Sequence, residues 1–330
     1  MKTVLWNLTK SMIKSPKKNN QPILSIIILN YNSGNYLSNC LKSLYQSTIN
    51  NYQIEIIVVD NASTDDSLSQ TQSLKLFNPN ILPLNYLPLP TNIGFSAGNN
   101  RGVTVSNPKS KYVLFLNPDT SVEKDTLSGM IDYFEKHPKV DAATCDVILA
   151  LTGKTQLESH RGFPTPNNTF WHFFGFGLPK LFSKSKFFNG YFMGYLDYSK
   201  PQQIDCCVGA FFMLKRPVGD QLKWWNEKYF MYGEDLDFCY QLRQNNFSLY
   251  FIPYFKITHF QGVSSGLLKT KSITHASRQT KIRSAIATTN AMKIFYQQNL
   301  LKNYSKIWQF IIWRGINLLE FYRIFKARYL

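Results

Sequence analysis

The sequence predicts an α/β protein with a mainly parallel central sheet that is covered by helices. Continuous apolar, β-branched runs occur near residues 23–30, 53–60 and 112–116, and such runs are typical of strands buried on both faces. Segments with helical spacing alternate with these runs, and repeated β–α units place their strands parallel in one sheet. With 44% hydrophobic and 15% aromatic residues, the chain of 330 residues can bury a large core, which excludes a disordered protein.

The first half of the chain begins the alternation of strands and helices. The strand ILSIIILN is followed by NYLSNCLKSLYQS, where Leu37, Leu41 and Leu44 form one stripe at helical spacing. After the strand QIEIIVVD we expect a helix that begins at Ser63 or Thr64, with acidic residues in its first turn. LNYLPL predicts a third strand, and its prolines place that strand at an edge of the sheet.

The alternation continues through the middle of the chain. GFSAGNNRGVTVS predicts a helix, YVLFLN a fourth buried strand, and KDTLSGMIDYFEKHP a helix that ends before a proline. VDAATCDVIL and CCVGAFFMLKR predict later strands of the same sheet. Between them, residues 151–204 are rich in Gly, Pro and aromatic residues without a steady period. We expect this segment to be a variable insert that forms the acceptor side of a substrate pocket.

The net charge of +17 lies mostly at the two ends of the chain. Residues 1–21 carry five lysines and no acid, residues 265–330 carry twelve Lys or Arg against Glu320 alone, and residues 22–264 are almost neutral. We therefore expect a basic N-terminal extension with a short helix around Val4–Ile13, one central domain and a basic C-terminal region. A nucleic-acid-binding protein more often carries a basic face on its folded domain, so the distribution indicates an anionic membrane surface and no nucleic acid.

Two helices are predicted in the C-terminal region, from KIRSAIATTNAMKIFYQQNLL and IWQFIIWRGINLLEFYRIFKARYL. A helix that spans a bilayer needs about 20 apolar residues in a row. The pattern therefore favours an amphipathic helix at the membrane surface, with a helix that packs onto the domain or forms a homodimer contact as the alternative. The charged residues that interrupt the second helix are Arg314, Glu320, Arg323, Lys326 and Arg328.

The five cysteines are odd in number and form no C-x-x-C pair. The N-terminus lacks the apolar segment and the cleavage site of a secretory signal peptide. We expect reduced cysteines, no structural zinc site, and a cytoplasmic protein that is peripheral at the cytoplasmic face of the inner membrane.

Two acidic residues directly follow predicted strands. Asp60 ends IEIIVVD, and Asp119 follows YVLFLNP. Ligands of open α/β sheets bind beyond the carboxyl ends of the strands, so two acids on neighbouring strands indicate an acid-lined crevice, although each alone is equally typical of a turn. The segment TNIGFSAGNNRG lies between them. Its glycines, Gly94 among them, and Arg101 are suited to contact with a phosphate group.

Five segments occur in the order and spacing of one protein family: SIIILNYN, IEIIVVDNASTDDS, NIGFSAGNNRGV, FLNPDT and YFMYGEDLDFCYQLR. With them, residues 23–265 resemble the family 2 glycosyltransferases of the GT-A fold, and most closely the rhamnosyltransferase-like branch. The resemblance implies a nucleotide-sugar donor, a dTDP- or UDP-sugar such as dTDP-rhamnose. It also implies an acceptor that is a glycan or a lipid-linked glycan.

The resemblance implies roles for residues at the ends of the first two strands. Asn30 and the run of Asp60, Asn61, Ala62 and Ser63 correspond to the floor of the site for the nucleobase and ribose. A carboxylate at this position can accept a hydrogen bond from the imide N–H of uracil or thymine.

A divalent metal, Mg²⁺ or Mn²⁺, is also implied. Asp119 in NPD corresponds to the metal-binding acid of the motif usually written DxD, and Asn117 stands in place of the first acid. Magnesium takes one or two carboxylates together with substrate phosphates, so a single aspartate can suffice. His259, in ITHFQGVSSG, is a candidate ligand of the metal or the diphosphate, and a packing histidine at a strand end is the alternative.

The segment GEDLD places three carboxylates in four positions of the chain. A helix dipole stabilises acids in the first turn, which explains Glu234 and Asp237 without a function. The resemblance assigns the general base to Asp235 of the Glu234–Asp235 pair, where it takes the proton of the acceptor hydroxyl as that oxygen attacks the anomeric carbon. Such a single displacement inverts the anomeric configuration. Where the family often has Arg four residues after the second Asp, this chain has Gln241, and Arg243 is a candidate substitute.

Three other classes of protein remain as alternatives. A nucleotidyltransferase has strand-end acids on a similar sheet, but usually also a Gly-rich, basic loop after the first strand, and LNYNSGNYL has neither feature. An inactive family member would bind a nucleotide sugar without turnover. The presence of both Asp119 and Asp235 favours an active enzyme over this alternative. A basic scaffold or nucleic-acid binder would carry its charge on the folded domain.

Overall fold

The computed structural model describes residues 21–72, 74, 81, 84–260 and 278–329 of the chain. The short helix predicted around Val4–Ile13 and the end of the segment ITHFQGVSSG lie outside the described residues. Within them, the strands form one sheet with apolar clusters on both of its faces.

Four strands form the parallel half of the sheet, in the order β3-β2-β1-β4. The strand β3 lies at the edge, as its prolines predicted. These strands are β1 (Leu24–Asn30), β2 (Ile54–Asp60), β3 (Asn85–Pro88) and β4 (Tyr112–Leu116). The connecting helices are α1 (Asn35–Gln46), α2 (Ser67–Gln72) and α3 (Phe95–Val105).

The sheet continues beyond β4 in the order β8-β6-β9-β5, and β7 pairs with β9. These strands are β5 (Thr120–Val122), β6 (Ala142–Leu149), β7 (Gln202–Gln203), β8 (Phe211–Lys215) and β9 (Leu249–His259). The strand β8 is antiparallel to both β4 and β6, whereas β6 and β9 are parallel. The sheet is therefore mixed but mostly parallel, as predicted. The helices of this part are α4 (Thr126–Lys136), α5 (Pro166–Phe174), α6 (Leu178–Leu181), α7 (Arg216–Leu222) and α8 (Glu234–Gln244).

Burial on both faces explains the continuous apolar runs of the strands. In β1, Ile27 belongs to the apolar cluster on one face, whereas Ile26 and Ile28 belong to the cluster on the other. Successive side chains of a strand point to opposite faces, so a strand covered on both sides is apolar at most positions. The polar side chains inside β1 and β2 are paired with each other, since Ser25 Oγ donates to Glu55 Oε1 (2.6 Å). The other polar side chains of these two strands, Asn30 and Asp60, stand at the strand ends.

The helix after β2 begins later than predicted. We expected its first residue at Ser63 or Thr64, but α2 begins at Ser67. Ser63 lies in a turn instead, where its backbone N–H donates to Asp60 Oδ2 (3.2 Å). The carboxylate of Asp65 accepts from the backbone N–H of Ser67 (3.2 Å) and from its hydroxyl (2.5 Å), so the polar run closes as turns before the helix starts.

Two glycines let α3 lie close to the sheet. A Cβ at Gly98 would lie 2.4 Å from Leu29 Cδ1, and a Cβ at Gly102 would lie 2.4 Å from Ile27 Cγ2. The absence of a side chain at these two positions therefore allows α3 to pack on β1. This packing explains both glycines without a contact to a phosphate.

The two C-terminal helices form as predicted, as α9 (Arg278–Phe295) and α10 (Lys306–Tyr329). The end of α9 packs into the core of the domain, where Ala291, Phe295 and the following Tyr296 are buried. In contrast, α10 buries Ile316 and leaves large apolar side chains exposed. Among the helices of the described residues, none is long and apolar enough to cross a membrane.

Candidate active site

Polar side chains gather at the carboxyl ends of β1 and β2. Asn30 and Asp60 are paired across the two strands, and the Nδ2 of Asn30 lies 2.8 Å from Asp60 Oδ1 and 3.0 Å from Ser63 Oγ. Ala62, in the turn that follows, has a φ of 63°, a left-handed conformation that is uncommon for a residue with a Cβ and that clusters at functional sites. These contacts orient the Asp60 carboxylate at the edge where the sheet is expected to bind its ligand.

Asn61 connects this edge to the loop before α3. Its Nδ2 donates to Asn92 Oδ1 (2.9 Å), and its Oδ1 accepts from the backbone N–H of Ile93 (2.9 Å). The loop in turn contacts the chain just before the acidic segment, because the backbone N–H of Phe95 donates to the carbonyl of Phe230 (2.7 Å). The predicted nucleotide side is thus joined by direct contacts to the residues that lead into GEDLD.

Gly94 is required where these loops touch. Its φ is 87°, and a Cβ there would lie 2.6 Å from the carbonyl oxygen of Phe230. Only glycine combines this backbone conformation with so close an approach. The structure therefore explains Gly94 by the contact between two loops.

Arg101 lies on the exposed side of α3. It is the seventh residue of the helix, roughly 9 Å along the helix axis from Phe95. The hydrogen bonds described around Asp60 do not include its guanidinium, so its contact with a phosphate remains a prediction.

The carboxylate that follows β4 lies beside the histidine that ends β9. Pairing of β5 with β9 brings this region together, and Asp119 Oδ1 lies 3.3 Å from His259 Nε2. The other ring nitrogen, Nδ1, lies 2.9 Å from Gln156 Oε1, and all three side chains are buried. An amide oxygen can only accept, so Nδ1 donates to it, and Nε2 is left to share a proton or a cation with Asp119.

This arrangement fits a divalent metal that is held largely by the phosphates of a substrate. A histidine whose second nitrogen is fixed by another side chain is the usual form of a metal-binding imidazole, and carboxylate oxygens suit Mg²⁺ and Mn²⁺. Within the described ranges, no group of three His, Cys, Asp or Glu side chains comes together as a metal site. Asn117 is partly exposed at the same strand end, and its carbonyl accepts from Thr120 Oγ1 (2.7 Å).

The acidic segment forms the first turn of α8. Gly233, with a φ of 81°, leads into a helix that begins at Glu234. Burial raises the pKa of Glu234 to about 8, and the charge of Asp235 adds to the rise. The Oε2 of Glu234 is buried and has no hydrogen-bond partner among the residues described. A protonated Glu234 is uncharged at neutral pH, which removes one of the three like charges.

Asp235 is only partly buried, and its Oδ1 accepts from the backbone N–H of Leu236 (2.7 Å). Burial raises the pKa of Asp235, and the guanidinium of Arg161 opposes this rise. The backbone of Arg161 is held by paired hydrogen bonds with Cys206 (2.9 and 2.8 Å). Sequence reasoning missed Arg161, because a single basic residue in an insert without periodicity carries no signal of an electrostatic interaction with Asp235.

Asp237 is a structural acid. Its carboxylate accepts from Asn226 Nδ2 (3.2 Å), the hydroxyl of Tyr229 (3.3 Å) and Asn299 Nδ2 (2.5 Å). The network ties α8 to the loop before it and to the turn after α9. These three hydrogen bonds, in addition to the helix dipole, therefore explain this carboxylate.

The two residues near the family's arginine position have separate partners. Gln241 Nε2 donates to Asn299 Oδ1 (3.1 Å), whereas Arg243 pairs with Asp205 (3.0 Å) at the surface. An amide pair thus occupies the side of α8 at Gln241, and the substitution of Arg243 for the family's arginine remains a prediction.

A groove of about 360 Å³ lies between the segment before α8 and α9. Three aromatic residues precede the acidic turn. Tyr229 is buried, with its hydroxyl on Asp237, and Tyr232 is partly buried. Phe230 is exposed. Both Phe230 and Tyr232 line the groove, together with Ile286 and Ala291 of α9, so an apolar surface adjoins the acidic turn.

The family defined by this fold and this site is supported by direct comparison. The profile described as "Glycosyl transferase family 2" matches residues 25–222, more than half of the chain, so the protein belongs to glycosyltransferase family 2. The low-salt glycan biosynthesis hexosyltransferase Agl10 of Haloferax volcanii is 31% identical over 229 residues, which cover 68% of this chain and 63% of Agl10. The rhamnosyltransferase WbbL of Escherichia coli K12 is 25% identical over 244 residues, covering 71% of this chain and 82% of WbbL.

Some relatives are much longer than the matched region. Poly(ribitol-phosphate) beta-N-acetylglucosaminyltransferase TarS of Staphylococcus aureus is 31% identical over 113 residues, which cover 34% of this chain and 19% of TarS. The chain thus spans less than two thirds of the length of Agl10 and of TarS.

Solved structures share the GT-A fold. The mannosyltransferase PcManGT from Pyrobaculum calidifontis, in complex with GDP-Man and Mn²⁺, has a TM-score of 0.56 at 14% identity, covering 98% of this chain and 80% of PcManGT. GalNAc-T7 with UDP, GalNAc and Mn²⁺ has a TM-score of 0.55 at 15% identity, covering 85% of this chain and 49% of GalNAc-T7. At such identities the likeness shows the fold.

Proposed function

We propose that the protein is an inverting glycosyltransferase that moves a sugar from a nucleotide donor to an acceptor hydroxyl. The position of Asp235 carries this proposal: it is a half-buried acid with a raised pKa, next to Glu234 and within the field of Arg161. A general base is most effective when its pKa approaches the working pH. Asp235 takes the acceptor proton as the oxygen bonds to the anomeric carbon and the nucleotide diphosphate leaves with the electron pair.

Arg161 is the positioning residue for this base. Its positive charge favours the ionised form of Asp235, which burial would otherwise disfavour. Protonated Glu234 keeps the second carboxyl uncharged, so the base does not face a like charge beside it.

Asp119 and His259 would hold the divalent metal, with Asn117 at the same strand end. Bound there, the ion would offset the negative charge that grows on the departing diphosphate. Gln156 fixes the imidazole so that Nε2 faces Asp119.

The donor that we propose is a dTDP- or UDP-sugar, with dTDP-rhamnose first. Asn30 orients the Asp60 carboxylate, which can accept the imide N–H of thymine or uracil. Similarity to a rhamnosyltransferase over 82% of its length supports rhamnose as the sugar.

The acceptor that we propose is a lipid-linked glycan at the cytoplasmic face of the inner membrane. The helix α10 supports this, because it exposes apolar side chains beside Arg314, Lys326 and Arg328, the composition of a helix that lies in a membrane interface. The exposed apolar residues include Ile307, Phe310, Leu318, Phe321, Tyr322 and Phe325.

A panel of UDP-, dTDP- and GDP-sugars with Mg²⁺ or Mn²⁺ tests the proposal through donor hydrolysis and thermal stabilisation. We expect one class of nucleotide sugar to raise the melting temperature and to be slowly hydrolysed. Release of pyrophosphate from a nucleoside triphosphate and a sugar phosphate would instead identify a nucleotidyltransferase. If a nucleotide sugar stabilises the protein but is neither hydrolysed nor transferred to any acceptor, the protein is an inactive binding protein.

A further inference from the structure

The insert carries an aromatic surface that the fold does not bury. Residues 170–187, here called the aromatic tip, include the end of α5 and all of α6, and neither helix has a buried residue. Apolar side chains in a soluble domain normally gain free energy by leaving water. Those exposed on the aromatic tip are Phe170, Phe173, Phe174, Phe176, Leu181, Phe182 and Phe187.

Phe176 is the most exposed of these side chains, at 97%. Its φ is 42°, a left-handed conformation, and it lies between Gly175 and Gly177. A residue with a Cβ adopts this conformation at a cost in free energy, and here no burial within the chain offsets the cost. The fold therefore presents a phenyl ring to the outside.

Hydrogen bonds and ring packing from flanking residues stabilise the backbone of the aromatic tip. Asn167 Nδ2 donates to the carbonyl of Phe187 (3.0 Å), and Asn189 Nδ2 donates to the carbonyl of Ser183 (2.9 Å). The ring of Trp171 packs edge-on against Phe188, with centroids 4.7 Å apart. The exposed rings therefore stand on an ordered base.

The charged residues within the insert around the tip have one sign. Residues 159–196 contain no Asp or Glu, and Lys180, Lys184 and Lys186 are exposed beside the rings. Two copies of such a surface would repel each other, whereas an anionic surface would attract it.

The insert that carries the aromatic tip contacts the C-terminal region. The hydroxyl of Tyr296, which follows α9, donates to the carbonyl of Pro164 just before α5. Met193, after the tip, and Ile316 of α10 are both buried in the core cluster on this face of the sheet. The insert and the C-terminal helices are thus anchored in the same core.

We propose that the aromatic tip inserts Phe176 and its neighbouring rings into the surface of an anionic lipid bilayer. Aromatic rings flanked by lysines are the side chains that partition into the interface of a membrane. This contact is additional to α10, and two linked contacts bind a surface more strongly than either alone. It places the acceptor-side insert at the bilayer.

Co-sedimentation of the full chain with vesicles tests this contact. We expect binding to phosphatidylcholine vesicles that contain phosphatidylglycerol, and Phe176→Ser should lower the partition coefficient roughly tenfold. Leu181→Ser serves as a second variant in case Phe176→Ser fails to fold. The matched control is Tyr254→Ser, since Tyr254 is an exposed aromatic residue of β9, and its partition should equal that of the unsubstituted chain.

The lysines are tested separately from the rings. The double variant Lys180→Gln, Lys184→Gln should weaken binding to the anionic vesicles by roughly fivefold for each lysine, and raised salt should abolish the difference. Lys109→Gln, at an exposed site before β4, should bind as the unsubstituted chain does.

Two outcomes would overturn the proposal. Partition of Phe176→Ser and Leu181→Ser equal to that of the unsubstituted chain would show that the tip does not contact lipid. A dimer in light scattering that Phe176→Ser converts to a monomer, with unchanged vesicle binding, would show that a second copy covers the tip. Donor hydrolysis without vesicles should be the same in all variants, so a failure of the tip is distinguishable from a failure of the proposed activity.

Discussion

His259 Nε2 lies 3.3 Å from Asp119 Oδ1, while Nδ1 of the same ring lies 2.9 Å from Gln156 Oε1. A nitrogen and a carboxylate oxygen this close, one of them fixed by an amide, are suited to bind one divalent cation together. We expect that His259→Ala and Asp119→Ala each weaken metal-dependent donor binding by at least roughly tenfold, and that Gln156→Ala does so by roughly tenfold. Calorimetric titration of the nucleotide sugar with and without Mn²⁺ measures this. His137→Ala, which removes an exposed histidine, is the control, and binding that chelators leave unchanged would contradict the metal site.

Asp235→Asn should abolish sugar transfer and leave donor binding intact. The amide cannot take the acceptor proton, so we expect a loss of roughly 100- to 10,000-fold in turnover with an unchanged donor dissociation constant. Asp66→Asn alters an exposed acid and should transfer sugar at the normal rate. Turnover retained by Asp235→Asn would exclude Asp235 as the base.

Glu234 makes the stability of the fold depend on pH. Its pKa is raised from 4.5 to about 8 in the folded protein, so the folded state binds the proton more tightly than the unfolded state does. The free energy of unfolding should therefore fall as pH rises from about 5 towards 8 and level off above. Over this pH range, the wild type should lose at most roughly 5 kcal/mol more of its free energy of unfolding than Glu234→Gln does. Urea denaturation across this pH range measures this difference. Glu158→Gln, at an exposed site, is the control and should follow the wild type. Parallel profiles for the wild type and Glu234→Gln would show that Glu234 does not have a raised pKa.

Gly94→Ala should destabilise the loop contact that joins the nucleotide side to the acidic segment. The new Cβ would meet the carbonyl of Phe230 at 2.6 Å in a backbone with a φ of 87°. Gly153 has a φ of 63° with open space around it, so Gly153→Ala isolates the conformational cost. We expect Gly94→Ala to lose about 1–3 kcal/mol more than this control in chemical denaturation and to bind donor more weakly. Equal losses in the two variants would show that the loops can separate freely.

Asn299→Ala should loosen the C-terminal helices from α8. It removes the shortest hydrogen bond to Asp237 and a partner of Gln241, so a buried carboxylate loses a donor. We expect a loss of about 1.5–3 kcal/mol in the free energy of unfolding. Asn303→Ala, at an exposed position of the same turn, should be neutral, and neutrality of both would mean that the network adds nothing to stability.

Much of the fold was predictable from local pattern. The continuous apolar runs located the buried strands, and the prolines of LNYLPL placed β3 at the edge. The predicted start of α2 was wrong. The backbone of Ser63 binds the side chain of Asp60, and the side chain of Asp65 binds the backbone of Ser67, so both residues lie in turns before the helix. Such local competition between side chains and backbone is weakly marked in sequence.

By itself, the sequence determined the order of strands and helices, the acids at the ends of β2 and after β4, and the family. These follow from periodicity and from motifs that lie within a few residues of one another. Only the tertiary structure decided which partners surround each of the three acids of GEDLD. Asp237 is bound by Asn226, Tyr229 and Asn299, Asp235 lies in the field of Arg161, and Glu234 is left buried. Asn299 and Arg161 come from distant parts of the chain, and the nearer Asn226 and Tyr229 lie in an irregular loop, so none of these contacts leaves a periodic trace in the sequence.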